Sequence, residues 1–348
     1  MFMDCTFEQV QDRRDIVWID VRSENEFAES TIPGAVNIPL FSNEERAVIG
    51  TVYKMESPKR AREVGLTIAS SKLPPLLKRV EEVAAQGYPI IFCWRGGMRS
   101  KTVATLADLM GLSVMRLSGG YRAYRQYITE QLQHMRPVDL PPLIVLHGMT
   151  GVGKTTILRR LEKLGEPVLD LELWAGHRGS VFGAIGLHVA NQRQFDSRLY
   201  AALHDAGQVP YFLIEAESRR IGRAIMPEFL FEAKRTGKNL EITAPIAVRV
   251  KRTLEQYMLD DADLFHEQVI AAAARIEKRL APDTSKQVKQ LLEKKAYEPV
   301  IELLLVNYYD PMYRHAMESY EQDFLTVDAE NLDAAVAGIQ EVLHGLSL

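Results

Sequence analysis

The apolar run Leu143-Ile144-Val145-Leu146 has no polar alternation, the pattern of a strand buried on both faces. Two residues later comes Gly148-Met149-Thr150-Gly151-Val152-Gly153-Lys154-Thr155, spaced G-x-x-x-x-G-K-[ST], and residues 156–164 then read as a helix. Strand, glycine loop and helix in that order commit this half of the chain to a parallel α/β sheet. They also suit the loop to phosphate binding. Backbone amides over Gly148, Thr150, Gly151, Val152, Gly153, Lys154, Thr155 and Thr156 can cradle a diphosphate. Lys154 supplies neutralising charge, and the Thr155 hydroxyl is placed to ligate Mg²⁺.

The following strands end in carboxylates. Residues 167–169 lead to Asp170 with Glu172 beyond, and residues 210–214 lead to Glu215 with Glu217 beyond. These are candidate Mg²⁺ ligands, directly or through water, and equally candidate helix caps. The segment from His177-Arg178 to Gly183 and the run Glu215–Gly222, with Arg219 and Arg220, are candidate substrate contacts because they join cations and glycines on loops. No Asn-Lys-x-Asp segment selects guanine, and nothing selects adenine. Residues 240–243 read as a strand, 245–320 as mostly helix, 324–327 as a returning strand and 331–343 as an amphipathic helix. The stretch 263–321 is therefore a helical insertion. The basic runs Arg249, Lys251, Arg252 and Lys286, Lys289, Lys294, Lys295 read first as solvated helix faces and second as RNA contacts. Tyr308, Tyr309, Tyr313 and Tyr320 are candidates for base stacking or for partial burial.

The first half also alternates strands with helices: an apolar run 16–19 ending at Asp20, a short strand near Val36, polar helical sequence over 44–86 interrupted by prolines, Ile90-Ile91-Phe92, and a strand over 113–117. Between the third of these strands and a helix lies Cys93-Trp94-Arg95-Gly96-Gly97-Met98-Arg99-Ser100. A helix N-terminus and loop amides beside a thiol favour its thiolate, and Arg95 and Arg99 add positive charge. The same nest can hold an anion. The plain alternative is a small core cysteine.

The 348 residues suffice for two domains, and Arg136-Pro137-Val138-Asp139-Leu140-Pro141-Pro142 cannot continue a helix. We read domains at 1–136 and 143–348, joined by a proline-rich linker at 137–142. Net charge is −4, so a nucleic-acid site would be a local patch. Two cysteines build neither a disulfide framework nor a Cys-rich zinc site. No apolar run reaches membrane-spanning length and the first fifteen residues lack a signal-peptide core, so a cytoplasmic enzyme is expected.

Asp20-Val21-Arg22 with Glu26-Phe27, then Ile32-Pro33-Gly34-Ala35 with Asn37-Ile38-Pro39, the Cys93 loop, and Leu117 with Gly119-Gly120-Tyr121 together resemble a rhodanese domain over about residues 5–135. That resemblance implies a structural role for Asp20 and Arg22 and a sulfur- or selenium-carrying role for Cys93. The succeeding glycine loop resembles a P-loop. Joined in this order, and with Asn37–Phe41, Glu45–Thr51, His177–Ser180 and Glu217–Gly222 also matching, the chain resembles the bacterial tRNA 2-selenouridine synthases.

The resemblance implies a fold: a rhodanese-like parallel-sheet domain followed by a P-loop NTPase-like α/β domain with a helical insertion. It also implies a transferase that turns wobble 2-thiouridine of Lys, Glu and Gln tRNAs into 2-selenouridine through an S-geranyl intermediate. The implied substrates are geranyl diphosphate and selenophosphate, with no tightly bound cofactor, Mg²⁺ as a candidate ion and a selenophosphate-producing enzyme as a candidate partner. Cys93 would serve the selenium step, with Arg95, Gly96, Gly97, Met98, Arg99 and Ser100 as its anion loop, and the P-loop would hold the diphosphate. The rival readings are a sulfurtransferase coupled to nucleotide hydrolysis and a non-catalytic RNA-binding adaptor.

Overall fold

The computed structural model describes residues 2–317 and 324–345. It falls into two compact units, Met1–His134 with Asp196–Ala201, and Met135–Phe195 with Ala202–Leu348.

The first unit is a five-stranded, all-parallel sheet of β1 (Met3–Cys5), β2 (Ile16–Asp20), β3 (Val36–Asn37), β4 (Tyr88–Phe92) and β5 (Met115–Leu117), in the order β1-β5-β4-β2-β3. Sequence reading missed β1. Its three residues are polar or exposed at two positions and carry no periodicity, and they become a strand only by pairing with β5. The helices Asn43–Met55, Pro58–Ser70 and Leu73–Ala84 fill the polar stretch. Ser42 and Glu45 form a reciprocal cap, Ser57 caps the helix that Pro58 starts, and Pro74 lies in the first turn of the third. The prolines thus begin helices, where a missing N–H costs nothing, rather than break one. Ile19, Ile91, Val80, Val103 and Ala104 pack as the core between sheet and helices.

Beneath the carboxyl ends of β2 and β4 lies a buried ion pair. Arg22 Nη2 donates to Asp20 Oδ2 at 2.6 Å and to the Ser30 carbonyl at 2.6 Å, and its guanidinium sits 4.2 Å from the Tyr121 ring centre. Thr31 Oγ1 donates to the same carboxylate, while Asn37 Nδ2 donates to the carbonyls of both Asp20 and Arg22. The charge pair therefore ties the turn after β2 to Ser30-Thr31 and to Tyr121, and Asn37 of β3 holds the same turn through its carbonyls.

The second unit holds β6 (Leu143–His147), β7 (Val168–Leu169), β8 (Phe212–Glu215), β11 (Lys238–Thr243) and β12 (Phe324–Asp328), all parallel, in the order β12-β11-β6-β8-β7. A separate hairpin, β9 (Arg220–Ile221) with β10 (Ala224–Ile225), turns at Gly222. The sequence had suggested a plain strand-to-helix connection there, since a two-residue strand pair among arginines leaves no periodic signal. Central β6 is buried along its length and the chain reverses direction of growth around it, so the loop after β6 lies at a switch point where α/β sheets bind ligands.

Between β11 and β12 run the helices Ile246–Tyr257, Ala262–Ile276, Pro282–Glu293, Tyr297–Leu304 and Asp310–Met317, with their own core around Phe265, Val269, Leu292, Val300 and Leu304. Tyr308 and Tyr309 are buried in it, whereas Tyr320 lies outside the described residues.

Replacing Arg22 by Met leaves the Asp20 carboxylate buried without its cation. Chemical denaturation is expected to show the first unit destabilised by about 3–5 kcal/mol. Replacing both residues by apolar ones is expected to recover part of that loss.

Candidate active site

The phosphate loop is shaped from behind. Lys154 Nζ donates to the Gly148 carbonyl at 2.8 Å, Arg249 Nε to the Thr150 carbonyl at 2.9 Å, and Arg252 Nη1 to the Val152 carbonyl at 2.9 Å. In a trans peptide the N–H points opposite to the C=O. Anchoring these three carbonyls therefore turns the amides of Met149, Gly151 and Gly153 the other way. Gly148, Gly151 and Gly153 have φ of 137°, 84° and 102°, conformations that suit glycine alone. A Cβ at Gly148 would lie 2.3 Å from the Ile242 carbonyl oxygen.

Arg249 is itself fixed by Asp310, with contacts of 2.5 and 3.0 Å, and is only 4% exposed. The basic run it heads is thus not a uniformly solvated face. Arg249 and Arg252, three apart on one helix face, brace the loop, while Lys251 points to solvent beside Glu255.

Three carboxylates converge below the loop. One oxygen from each of Glu172, Glu215 and Glu217 lies within 4.8 Å of the others, and all three residues are buried. Thr155 Oγ1 donates to Glu172 at 3.0 Å, and Glu215 Oε1 is buried with no partner. Burial, and then their mutual repulsion, pushes Glu172 upward; burial likewise raises Glu215, opposed by Lys154. An all-oxygen set with an orphaned carboxylate oxygen fits a hard divalent cation such as Mg²⁺. Asp170 stands apart. It caps the helix Leu171–Ala175 through the Leu173 amide and pairs with Arg159 at 2.9 Å.

Lys154, Thr155, Thr156, Glu172, Glu215, Glu217 and Arg178 line one pocket of about 1060 Å³. Arg178 stacks 4.8 Å from the Tyr257 ring centre and donates to the Ile185 carbonyl. His177 packs its ring against Gly183 and Gly222, and its Nδ1 is buried with no partner. Arg219 pairs with Glu228 on the surface and Arg220 is exposed in β9, so neither joins the carboxylates.

Two neighbours went unread in the sequence. Lys234, almost wholly buried, donates to the Glu217 carbonyl, and burial pushes its pKa down to about 8. His147, at the end of β6, shares a 2.9 Å hydrogen bond with Asn239, and burial holds its pKa down at about 4. The only sequence signal for Lys234 was a cation on the apolar side of an amphipathic helix.

In the first unit, Cys93 ends the β4 connection 3% exposed, with Sγ 3.2 Å from Ser100 Oγ. Its carbonyl accepts from the Tyr121 amide and that of Trp94 from the Arg122 amide, both at 2.9 Å. Both donors open the helix Gly120–His134, so the same peptide geometry turns the Trp94 and Arg95 amides away from that helix. Gly96 has φ of 62°, and a Cβ at Gly120 would lie 2.2 Å from the Cys93 carbonyl oxygen. Gly97 precedes the helix Met98–Leu109, whose N-terminus faces this loop. Met98 and Arg95 are exposed; Arg99 pairs with Glu26 at 2.6 Å, which offsets its charge near the thiol.

Fold and sites define a two-part α/β enzyme: a cysteine-loop domain followed by a phosphate-loop domain. Family models agree on both parts, a "Rhodanese-like domain" over residues 6–127 and a "tRNA 2-selenouridine synthase AAA domain" over 141–341. The chain belongs to the tRNA 2-selenouridine synthase family. It is 30% identical over 341 residues to the tRNA 2-selenouridine synthase of Pseudomonas putida, with 90% of each chain covered. It is 32% identical over 340 residues to that of Hydrogenovibrio crunogenus, covering 88% of this chain and 90% of the other. Among solved structures, the shikimate kinase of Bacteroides thetaiotaomicron is 19% identical over 58% of this chain and 98% of its own, with a TM-score of 0.25.

Because the folded state holds His147 below its ordinary value, it binds fewer protons than the unfolded state between about pH 4 and 6.5. This contribution is complete above about pH 6.5 and is lost as pH falls through that window. Replacing His147 by Gln is expected to flatten the stability–pH curve there, by on the order of 2 kcal/mol between about pH 7.5 and 5, read from urea midpoints.

Proposed function

We propose that this chain converts wobble 2-thiouridine in tRNA into 2-selenouridine in two steps, and that its two loops divide them. The thiocarbonyl sulfur is a poor leaving group. In the first step it attacks C1 of geranyl diphosphate, forming a C–S bond as the C–O bond to diphosphate breaks; the uridine N3 proton is released. In the second step selenium from selenophosphate adds at C2 of the alkylated base, and the C2–S bond breaks to expel geranyl thiol. Water takes the phosphoryl group as phosphate.

The observation that carries this reading is the phosphate loop with its Thr150 and Val152 carbonyls held by Arg249 and Arg252, leaving its amides, and Lys154 in the pocket beside them, for an anionic leaving group. Diphosphate departure from a prenyl carbon needs stabilisation of developing negative charge and no general base at the phosphorus. The carboxylates Glu172, Glu215 and Glu217 would hold Mg²⁺, which supplies further charge neutralisation to the diphosphate. Cys93, in an anion-holding loop with Ser100, is the group for the selenium step, as selenium carrier or as nucleophile. The amides of that loop and Arg95 would meet selenophosphate. The relatives' name supplies the tRNA and the selenouridine product.

Nucleoside mass spectrometry on 2-thiouridine tRNA tests the scheme. Geranyl diphosphate alone is expected to give S-geranyl-2-thiouridine, and added selenophosphate to give 2-selenouridine. Replacing Lys154 by Ala is expected to slow geranyl transfer by about 10²–10³-fold. Replacing Cys93 by Ser is expected to leave geranyl transfer intact and stop selenation. Loss of both steps in the Cys93 variant would end the division of labour. Unchanged tRNA, together with nucleotide hydrolysis stimulated by a sulfur acceptor, would replace the scheme by a nucleotide-coupled sulfurtransferase.

A further inference from the structure

A second, partly open pocket adjoins the phosphate cradle. The two share Thr150, Ser180 and Tyr257. Beyond that neck the walls are mainly aliphatic and aromatic: Phe182 and Ile185, then Phe265 and Val269 of the helix Ala262–Ile276, then Ile301 and Leu304 of the helix Tyr297–Leu304; Thr253 Oγ1 and Tyr309 OH are the polar exceptions, both buried without a partner. Among the described residues, no charged or amide side chain lines it. At the neck Ser180 Oγ and Tyr257 OH lie 2.8 Å apart in a mutual hydrogen bond, and Tyr297 OH is engaged by His266 at 3.0 Å. A nucleotide base held here would give up its hydrogen bonds to water and find only Thr253 Oγ1 and Tyr309 OH unpaired to replace them, fewer than its several donors and acceptors need. A hydrocarbon laid against these walls would remove its own apolar surface and theirs from water.

We propose that this pocket receives the hydrocarbon chain of the allylic diphosphate whose head group lies on the phosphate loop, and that Phe265, Val269 and Ile301 set the chain length it accepts. The proposal rests on the reading of the phosphate loop as a prenyl diphosphate site and assigns that site's second half. Head and tail are then recognised by different forces. Amides and Lys154 hold the diphosphate, while burial of successive methylenes holds the chain, each adding to affinity until the pocket ends. The helical insertion thereby acquires a role in recognition, because it supplies the walls at Phe265, Val269, Ile301 and Leu304.

The test is binding of inorganic diphosphate, dimethylallyl diphosphate, geranyl diphosphate and farnesyl diphosphate to the full chain with Mg²⁺, by titration calorimetry. Geranyl diphosphate is expected to bind at least about 10-fold more tightly than inorganic diphosphate. Val269→Phe and Ile301→Phe, from different helices, are each expected to weaken geranyl diphosphate about 10-fold, dimethylallyl diphosphate by less than about twofold, and inorganic diphosphate not at all. Phe265→Leu is expected to shift preference the other way, towards farnesyl diphosphate. Equal wild-type affinity for geranyl and inorganic diphosphate overturns the proposal, as does equal weakening of all four ligands in both filling variants. If the chain-length pattern appears while tRNA gains no S-alkyl group, the tail pocket stands and the reaction scheme falls.

Discussion

The phosphate loop depends on cations that hold its carbonyls in place. A concave nest of amides is unstable alone, because the carbonyls of the same peptides must find partners on its far side. Arg249 and Arg252 provide them to Thr150 and Val152, one turn apart along a helix that packs behind the loop. Arg249 is buried, so it needs its own counter-charge, and Asp310 supplies it from another helix of the insertion. The shape of the cradle is thus linked by one chain of charge-assisted hydrogen bonds to the helical segment that walls the apolar pocket. The cysteine loop uses the same device in neutral form: the carbonyls of Cys93 and Trp94 are held by the amides that open the helix Gly120–His134.

Much of this was legible as sequence because the relevant signals are local. Apolar runs without alternation marked β2, β4, β6 and β8, and the glycine spacing marked the phosphate loop, since only glycine tolerates φ near 137° against the Ile242 carbonyl. The carboxylates Glu172, Glu215 and Glu217 were visible as strand-end residues, but their convergence was not. It depends on β8 lying between β6 and β7, which is a matter of sheet order. Asp170 and Glu172 show the limit sharply. Two residues apart and chemically alike, one caps a helix and pairs with Arg159, while the other faces the loop.

The illegible parts are long-range pairings. Arg249 and Asp310 are separated by sixty-one positions, and nothing in either neighbourhood names the other. Read locally, Arg249, Lys251 and Arg252 formed a solvated basic patch on a helix face, with a polyanion contact as the second reading. Helical geometry divides that patch, because positions three apart share a face and the one between them does not. β1 and the hairpin β9–β10 were missed for a related reason: strands of two or three residues have too few positions to show a period and exist only through their partners.

The buried charges around the cradle act on one another in a way that bears on leaving-group chemistry. Lys154 and Lys234 both lower the proton affinity of His147, and Lys154 opposes the rise of Glu215. The strongest effect, burial, raises the proton affinity of both Glu172 and Glu215. On the proposed reading, a diphosphate arriving with a divalent ion would reverse that balance, since such an ion stabilises ionised carboxylates while the loop amides face the phosphate. Binding of the two should therefore be mutually reinforcing. The apolar pocket beside them takes no part in this exchange, because a hydrocarbon neither binds protons nor carries charge. On the proposed reading, chain recognition there is independent of pH, while the head group lies beside Glu172 and Glu215, whose proton affinity burial raises.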